Sequence, residues 1–206
     1  MKIVFIVILV VFLATGGVLG YRMIRERQEQ ARIERLYSEE NLQKLDELFR
    51  TVENELENFI STWKDSDLQD FSEPIHITFA TDDEISRGLY GSVPSGRNRI
   101  VFSANNIVQD GSTDFLLEYF SINMELRNIV DDINKSELFR SISIFETHMA
   151  DLWVSFTIHP EQTPFFEKFH DVRSVFYYID EGDEDWEPGG MVRIKDNWFV
   201  QFMERE

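Results

Sequence analysis

The chain has 206 residues, 43% of them hydrophobic, and a formal net charge of −18. This hydrophobic share supplies a core for one domain of ordinary size and excludes wholesale disorder. The first 35 residues hold six basic and three acidic residues, which leaves 14 basic and 35 acidic residues, a net charge of −21, in the remainder. Such a body repels phosphate backbones, so nucleic-acid binding is excluded. Disulfides, thiolate zinc sites and thiol nucleophiles are excluded as well, because the chain contains no cysteine.

The N-terminal segment Ile3–Gly20 contains no charged residue, and it begins with eleven consecutive Ile, Val, Phe and Leu residues. Those eleven favour membrane insertion by roughly 3–6 kcal/mol. A helix of this segment's length spans about 27 Å, slightly less than a hydrocarbon core, and Tyr21 extends it into the interface. We therefore predict that Ile3–Gly20 inserts into a membrane.

Two interpretations of this segment remain open. A cleaved signal peptide is one, because Ala14-Thr15-Gly16 resembles a small-x-small cleavage site. A permanent anchor is favoured, because the uncharged run continues to Gly20 and arginines follow directly. We expect a single-pass protein of a bacterial inner membrane. The arginines after the span favour a cytoplasmic body, whereas the basic start at Lys2 favours a periplasmic one.

A helical stalk or packing helix is predicted for residues 22–70, after a transmembrane anchor or signal peptide at 1–21 and before a globular domain at 71–206. Residues 22–65 contain neither Gly nor Pro. An apolar stripe with alternating spacings of three and four predicts an amphipathic helix; its members are Leu42, Leu45, Phe49, Val52, Leu56, Phe59 and Trp63.

This stripe forms a helix interface, for which two partners are possible. It is a coiled-coil seam between two copies, or it packs on the chain's own domain. Phe49, Phe59 and Trp63 are bulky for a two-stranded seam, which favours packing within the chain.

Alternating or β-rich runs predict strands in the globular domain, at 75–79, 99–104, 139–147, 152–159, 174–180, 191–195 and 198–203. The run at 174–180 is apolar on both faces, which predicts a central position in the sheet. Asp196-Asn197 is the expected turn of a last hairpin.

Helices are predicted between these strands. Thr81 and Glu84 form a capping box, so a short helix begins at Asp82. Apolar spacings of four and three predict one long helix over Thr113–Lys135, and Pro164 opens a short helix. The predicted fold class is α+β: a transmembrane helix, a long amphipathic stalk helix, and a mainly antiparallel sheet with one long and two short helices.

Candidate sites are few. Arg97 and Arg99, in and after a glycine-rich loop, are the best candidates for an anion contact, because they are rare cations in an acidic body. The acidic run around Asp180, Asp183 and Asp185 is a weak calcium candidate whose order does not match an EF-hand. His148, His159 and His170 lack a recurrent metal-ligand spacing, so we expect surface or structural roles, no metal and no cofactor.

The absence of any catalytic motif favours a non-enzymatic function. We expect a membrane-anchored binding or assembly module that is an accessory subunit of an envelope protein complex, with a protein partner or self-association. An anchored sensor that encloses a small ligand in its aromatic-rich sheet is the first alternative. A hydrolase with an unrecognised site is the second.

Overall fold

In a computed structural model, the described residues are 21–70, 73–87, 98–103, 107–109, 114–147, 150–163, 172–181 and 190–204. The chain forms two compact units, Met1–Gln43 and Lys44–Glu206. The predicted membrane segment lies outside the described residues and stays a prediction. Among the residues that are described, no helix combines the length and the apolar character needed to cross a membrane.

The first unit contains a helix over residues 21–36 (α1) and the start of helix α2, Glu39–Lys64. The break between them is closed by Asn41, whose side-chain amide donates to the carbonyl oxygens of Arg35 and Leu36 at 2.9 and 3.2 Å. Residues 21–30 are exposed throughout.

In its described residues, the second unit contains an eight-stranded sheet and three further helices. The strands are β1 (Ile75–Phe79), β2 (Asn98–Phe102), β3 (Ile107–Gln109), β4 (Phe139–Thr147), β5 (Ala150–Ile158), β6 (Val172–Glu181), β7 (Val192–Lys195) and β8 (Trp198–Glu204). The helices are α3 (Asp82–Arg87), α4 (Asp114–Ile122) and α5 (Met124–Lys135), and short 3₁₀ turns lie at Asp67–Asp70 and Pro160–Gln162.

The strand order is β3-β2-β1-β4-β5-β6-β8-β7. Strands β1 and β2 are parallel, and α3 lies in the crossover between them. All other neighbouring pairs are antiparallel. The predicted α+β class with a mainly antiparallel sheet is therefore confirmed. The predicted central strand, β6, pairs with β5 and β8 on its two sides.

One face of the sheet, called here the helix face, packs on α2. The ring of Phe49 lies 5.4 Å from that of Phe176 and 5.2 Å from that of Trp198, and Phe59 lies 5.6 Å from Phe156. Burial of these rings in edge-to-face pairs is a large apolar contribution to stability. Leu42 is half-buried, and the other six stripe residues, Leu45, Phe49, Val52, Leu56, Phe59 and Trp63, are buried.

The opposite face of the sheet carries apolar side chains on some strands and polar side chains on others. On β6 and β8 it carries a buried apolar cluster of Val175, Tyr177, Ile179 and Phe199, against which Trp153 and Met191 pack. On β1, β4 and β5 it carries small polar side chains. Both sets alternate with the residues of the helix face, as the period of a strand requires.

The single long helix predicted over Thr113–Lys135 is wrong, because two helices meet at Asn123. The side chain of Asn123 accepts a hydrogen bond from the amide of Leu126 at 3.1 Å and caps α5. Asparagine competes with the helix by bonding local backbone, so the helix restarts there. The apolar spacing continues across the break, which concealed it in the sequence.

Other boundaries are closer to prediction. The capping box at Thr81 and the short helix from Asp82 are confirmed, as is the last hairpin about Asp196-Asn197. The short strand β3 was not predicted, because three residues carry too little periodicity. The helix predicted from Pro164 to His170 lies outside the described residues.

Candidate functional site

A cleft of about 770 Å³ opens at the end of the sheet where β1 and β5 finish and β4 begins. It is lined by Phe79, Ala80, Thr81, Asp82, Glu84, Asp131, Asn134, Lys135, Glu137, Phe139, Arg140, His159, Glu161 and Gln162. These residues come from the start of α3, the end of α5, two strands and a 3₁₀ turn. The fold thus brings five secondary-structure elements, from three stretches of the chain, to one opening.

The α3 side of the cleft is fixed by the capping box. The carboxylate of Glu84 accepts hydrogen bonds from the Thr81 amide at 2.8 Å and from the Thr81 hydroxyl at 2.9 Å. The backbone bond is the main cause that lowers the pKa of Glu84, and the charges of Arg140 and His159 lower it further. Glu84 is therefore a fixed negative charge at neutral pH.

Asp82 is held next to Glu84 in the first turn of α3, where it accepts a hydrogen bond from the hydroxyl of Ser103. This bond ties α3 to the chain beyond β2, the strand parallel to β1. Asp82 and Glu84 therefore present their charges to the cleft from a short helix that is attached at both its start and its side.

The α5 side of the cleft ends in a left-handed residue. Glu137 has a φ of 53° and its amide donates to the carbonyl of Asn134 at 3.0 Å, which stops the helix. Lys135 is paired with Asp132 at 3.0 Å, and this hydrogen bond raises the pKa of the lysine. Asp131 and Glu137 thus line the opening beside the Lys135–Asp132 pair.

His159 and Arg140 lie on the sheet side of the cleft. The amide of His159 donates to the carbonyl of Leu138 at 2.7 Å, which holds the end of β5 against the start of β4. Together the lining holds five carboxylates, two permanent cations and one imidazole. Such a lining suits charged groups, because it offers complementary charges and hydrogen-bond partners.

A second, smaller groove of about 390 Å³ lies between α2 and the β7–β8 turn. Lys64 lines this groove. Its ammonium lies 2.5 Å from the Asp180 carboxylate and 2.9 Å from the Tyr178 hydroxyl. Burial acts to lower the pKa of Lys64, but the hydrogen bonds to Asp180 and Tyr178 outweigh burial and raise it. The groove therefore contains a helix-to-sheet ion pair.

The predicted anion contacts are Arg97 and Arg99, and the structure describes one of them. Arg97 lies outside the described residues, whereas Arg99 lies in β2 with only 1% of its surface exposed. Its strand neighbour is His76, whose Nδ1 lies 2.7 Å from the hydroxyl of Ser143 on β4. Arg99 is thus a buried side chain of the sheet, and its contact with an anion stays a prediction.

The calcium candidate is only partly described. Asp180 is paired with Lys64, and Asp183 and Asp185 lie outside the described residues. Within the described part of the chain, no group of three or more histidine and acidic side chains is arranged to hold a metal ion.

The sequence marks Thr81 and Glu84 as a capping box and His159 as the end of a strand, but it does not indicate the cleft that these residues share. No local signal marks it, because its lining runs from Phe79 to Gln162 and meets only through strand pairing. Comparisons with protein-family models, curated proteins and solved structures yield no match to this chain.

Proposed function

We propose that this chain is a membrane-anchored, non-enzymatic binding module that serves as an accessory subunit of an envelope protein complex. The predicted anchor Ile3–Gly20 supplies the membrane attachment. The observation that carries the binding function is the charged cleft at the end of the sheet. Its carboxylates outnumber its permanent cations by five to two, so it complements a basic segment of a partner protein.

The charge of the whole body supports the same partner. Residues 36–206 carry a net charge of −21, which speeds the approach of a basic partner and repels acidic ones. Glu84 contributes its charge without reorganisation, because the capping box already holds it. Binding through such a cleft costs little ordering entropy on this side of the interface.

An enclosed small ligand in the aromatic-rich sheet is supported less well. On the helix face, the ring of Phe49 packs on Phe176, and the ring of Phe156 packs on Phe59 and Phe139. They fill the space that a sensor would keep for its ligand. A ligand that binds the folded state raises the melting temperature, so a rise with a small metabolite would favour the sensor.

The test is co-purification of the full chain from membranes in mild detergent after crosslinking. A double reversal, Asp131→Lys with Glu161→Lys, changes the cleft from acidic to basic and is expected to abolish capture of the partner. The matched control is Glu47→Lys with Glu55→Lys, which makes the same charge change on the exposed side of α2. The proposal fails if the wild-type chain is monomeric and captures no partner, or if both double variants capture it equally.

A further inference from the structure

The first turn of α1 exposes large apolar side chains. Helix α1 begins at Tyr21, directly after the predicted membrane segment Ile3–Gly20. The exposed fractions of Tyr21, Met23 and Ile24 are 71, 55 and 59%. Successive residues of a helix are about 100° apart, so these three side chains point to different sides of α1. Apolar surface is more stable away from water, so this turn suits the boundary between lipid headgroups and acyl chains, where tyrosine is enriched.

Arginines lie among and directly after these apolar side chains. Arg22 is paired with Glu26 at 3.1 Å, and both side chains are largely exposed, so this pair contributes little stability. Arg25 and Arg27 are exposed too, and within the described residues neither pairs with a carboxylate. Residues 21–27, called here the collar, hold three arginines and one glutamate, which gives a net charge of +2. The collar is therefore a basic and apolar helix end in an acidic chain.

The positions of Arg25 and Arg27 match the depth of a headgroup layer when Tyr21 lies at the edge of the hydrocarbon core. A helix rises about 1.5 Å per residue, so the backbones of the two arginines lie at most about 6 and 9 Å from the depth of Tyr21. A headgroup layer is about 5–8 Å thick, and attraction to an anionic surface falls off within a Debye length of about 8 Å. A guanidinium group binds phosphate through two parallel hydrogen bonds, so both arginines are placed to contact phosphate oxygens.

The size and charge of the collar favour lipid over a protein partner. Seven helical residues extend about 10 Å along an axis about 10 Å in diameter, so the collar has roughly 300 Å² of surface. A stable protein interface covers about 800 Å² on each partner. The predicted membrane segment ends next to the collar, so headgroups surround it without a separate encounter. Residues 36–206 carry a net charge of −21 and repel an anionic lipid surface, whereas the collar attracts it.

We propose that the collar binds the headgroups of anionic phospholipids. The guanidinium groups of Arg25 and Arg27 donate hydrogen bonds to phosphate oxygens, and Tyr21, Met23 and Ile24 pack against the adjoining acyl chains. Zwitterionic phospholipids bind less tightly, because they carry no net charge. The contact keeps the start of α1 at the membrane surface against the repulsion of the acidic body. This inference rests on the membrane attachment in the proposed function and is independent of the cleft.

The test is native mass spectrometry of the full chain in a neutral detergent, titrated with equal amounts of phosphatidylglycerol and phosphatidylcholine that have the same acyl chains. We expect wild type to prefer phosphatidylglycerol by about fivefold for each unpaired arginine that contacts it. The collar variant, Arg25→Gln with Arg27→Gln, is expected to bind the two lipids nearly equally. Glutamine is a good helix former and both positions are exposed, so the fold is retained.

The matched control is Arg50→Gln with Arg87→Gln, which removes the same charge from two exposed positions outside the collar and should keep the lipid preference. The Asp131→Lys, Glu161→Lys cleft variant should keep it as well, which separates this inference from partner binding in the cleft. Equal binding of the two lipids by wild type, or an unchanged preference in the collar variant, overturns this inference alone. Extraction of the chain from native membranes by alkaline carbonate would overturn both the membrane attachment and this inference.

Discussion

The two faces of the sheet carry different kinds of side chains, although they are formed by the same strands. On the helix face, Phe156, Phe176 and Trp198 pack against α2, so burial of aromatic surface dominates. On the opposite face, the residues between them on β4 and β5 are Ser141, Ser143, Ser155 and Thr157. Aromatic packing thus closes the helix face, whereas hydroxyl side chains, with Ser143 and Ser155 buried, occupy the opposite face of the same strands.

The largest expected effect tests the stabilising role of the helix face. Phe59 is fully buried between Trp63 and Phe156, at 5.9 and 5.6 Å. Phe59→Ala is expected to lower the free energy of unfolding by about 3–5 kcal/mol, through lost burial and the cavity left behind. Urea denaturation of the full chain in micelles, followed by circular dichroism, measures it.

Ser141→Ala on the opposite face is the control for this substitution. It removes one half-buried hydroxyl and is expected to change the free energy of unfolding by less than about 1 kcal/mol. Equal losses in the two variants would remove the distinction between the faces.

A second prediction concerns the ion pair that joins α2 to the sheet. Lys64→Met removes the hydrogen bonds to Asp180 and Tyr178 and is expected to cost about 1 kcal/mol. The pKa of Lys64 is raised above its usual value of 10.5. The advantage of wild type over Lys64→Met is therefore complete below that pH and is lost as the pH rises through the higher folded pKa.

Lys135→Met is the control for this ion pair, because Lys135 pairs with Asp132 only within α5. It is expected to leave the attachment of α2 intact. If Lys64→Met shows the same stability as wild type at neutral pH, the Lys64–Asp180 pair does not contribute to the attachment of α2.

The smallest effect lies at the cleft. Glu84→Gln is expected to cost roughly 0.5 kcal/mol at pH 7, because a negative charge is lost from a helix N-terminus. The pKa of Glu84 is lowered from its usual value of 4.5. Its contribution is complete above that pH and is lost as the pH falls through the lower folded pKa. Stability measured from pH 2 to 7 tests this, and a difference that persists unchanged at pH 2 would contradict it.

Much of the fold could be predicted from local patterns. Alternation located Ile75–Phe79, the capping box located Asp82, and the stripe from Leu45 to Trp63 predicted the buried face of α2. The break at Asn123 was missed, because the apolar spacing runs through it. Patterns of this kind report on neighbours within a few residues, and they fail where one polar side chain changes the backbone path.

The groups of residues that lie far apart in the chain but close together in the fold could not be predicted, because they depend on strand register. Ser143 and His76 are 67 residues apart in the chain and become direct neighbours only through the pairing of β1 with β4. The cleft has the same origin, since Glu84 and His159 meet at the ends of different strands. Register is decided by the whole sheet, which no single segment encodes.

The most direct test of the proposed binding module is site-specific photocrosslinking in native membranes. A photoreactive residue at Gln162 lies in the cleft, and one at Glu55 lies on the exposed side of α2. We predict a discrete crosslinked product with a protein partner from position 162. This product should be absent from position 55 and should be lost in the Asp131→Lys, Glu161→Lys variant. No product from position 162, or the same product from both positions, would contradict it.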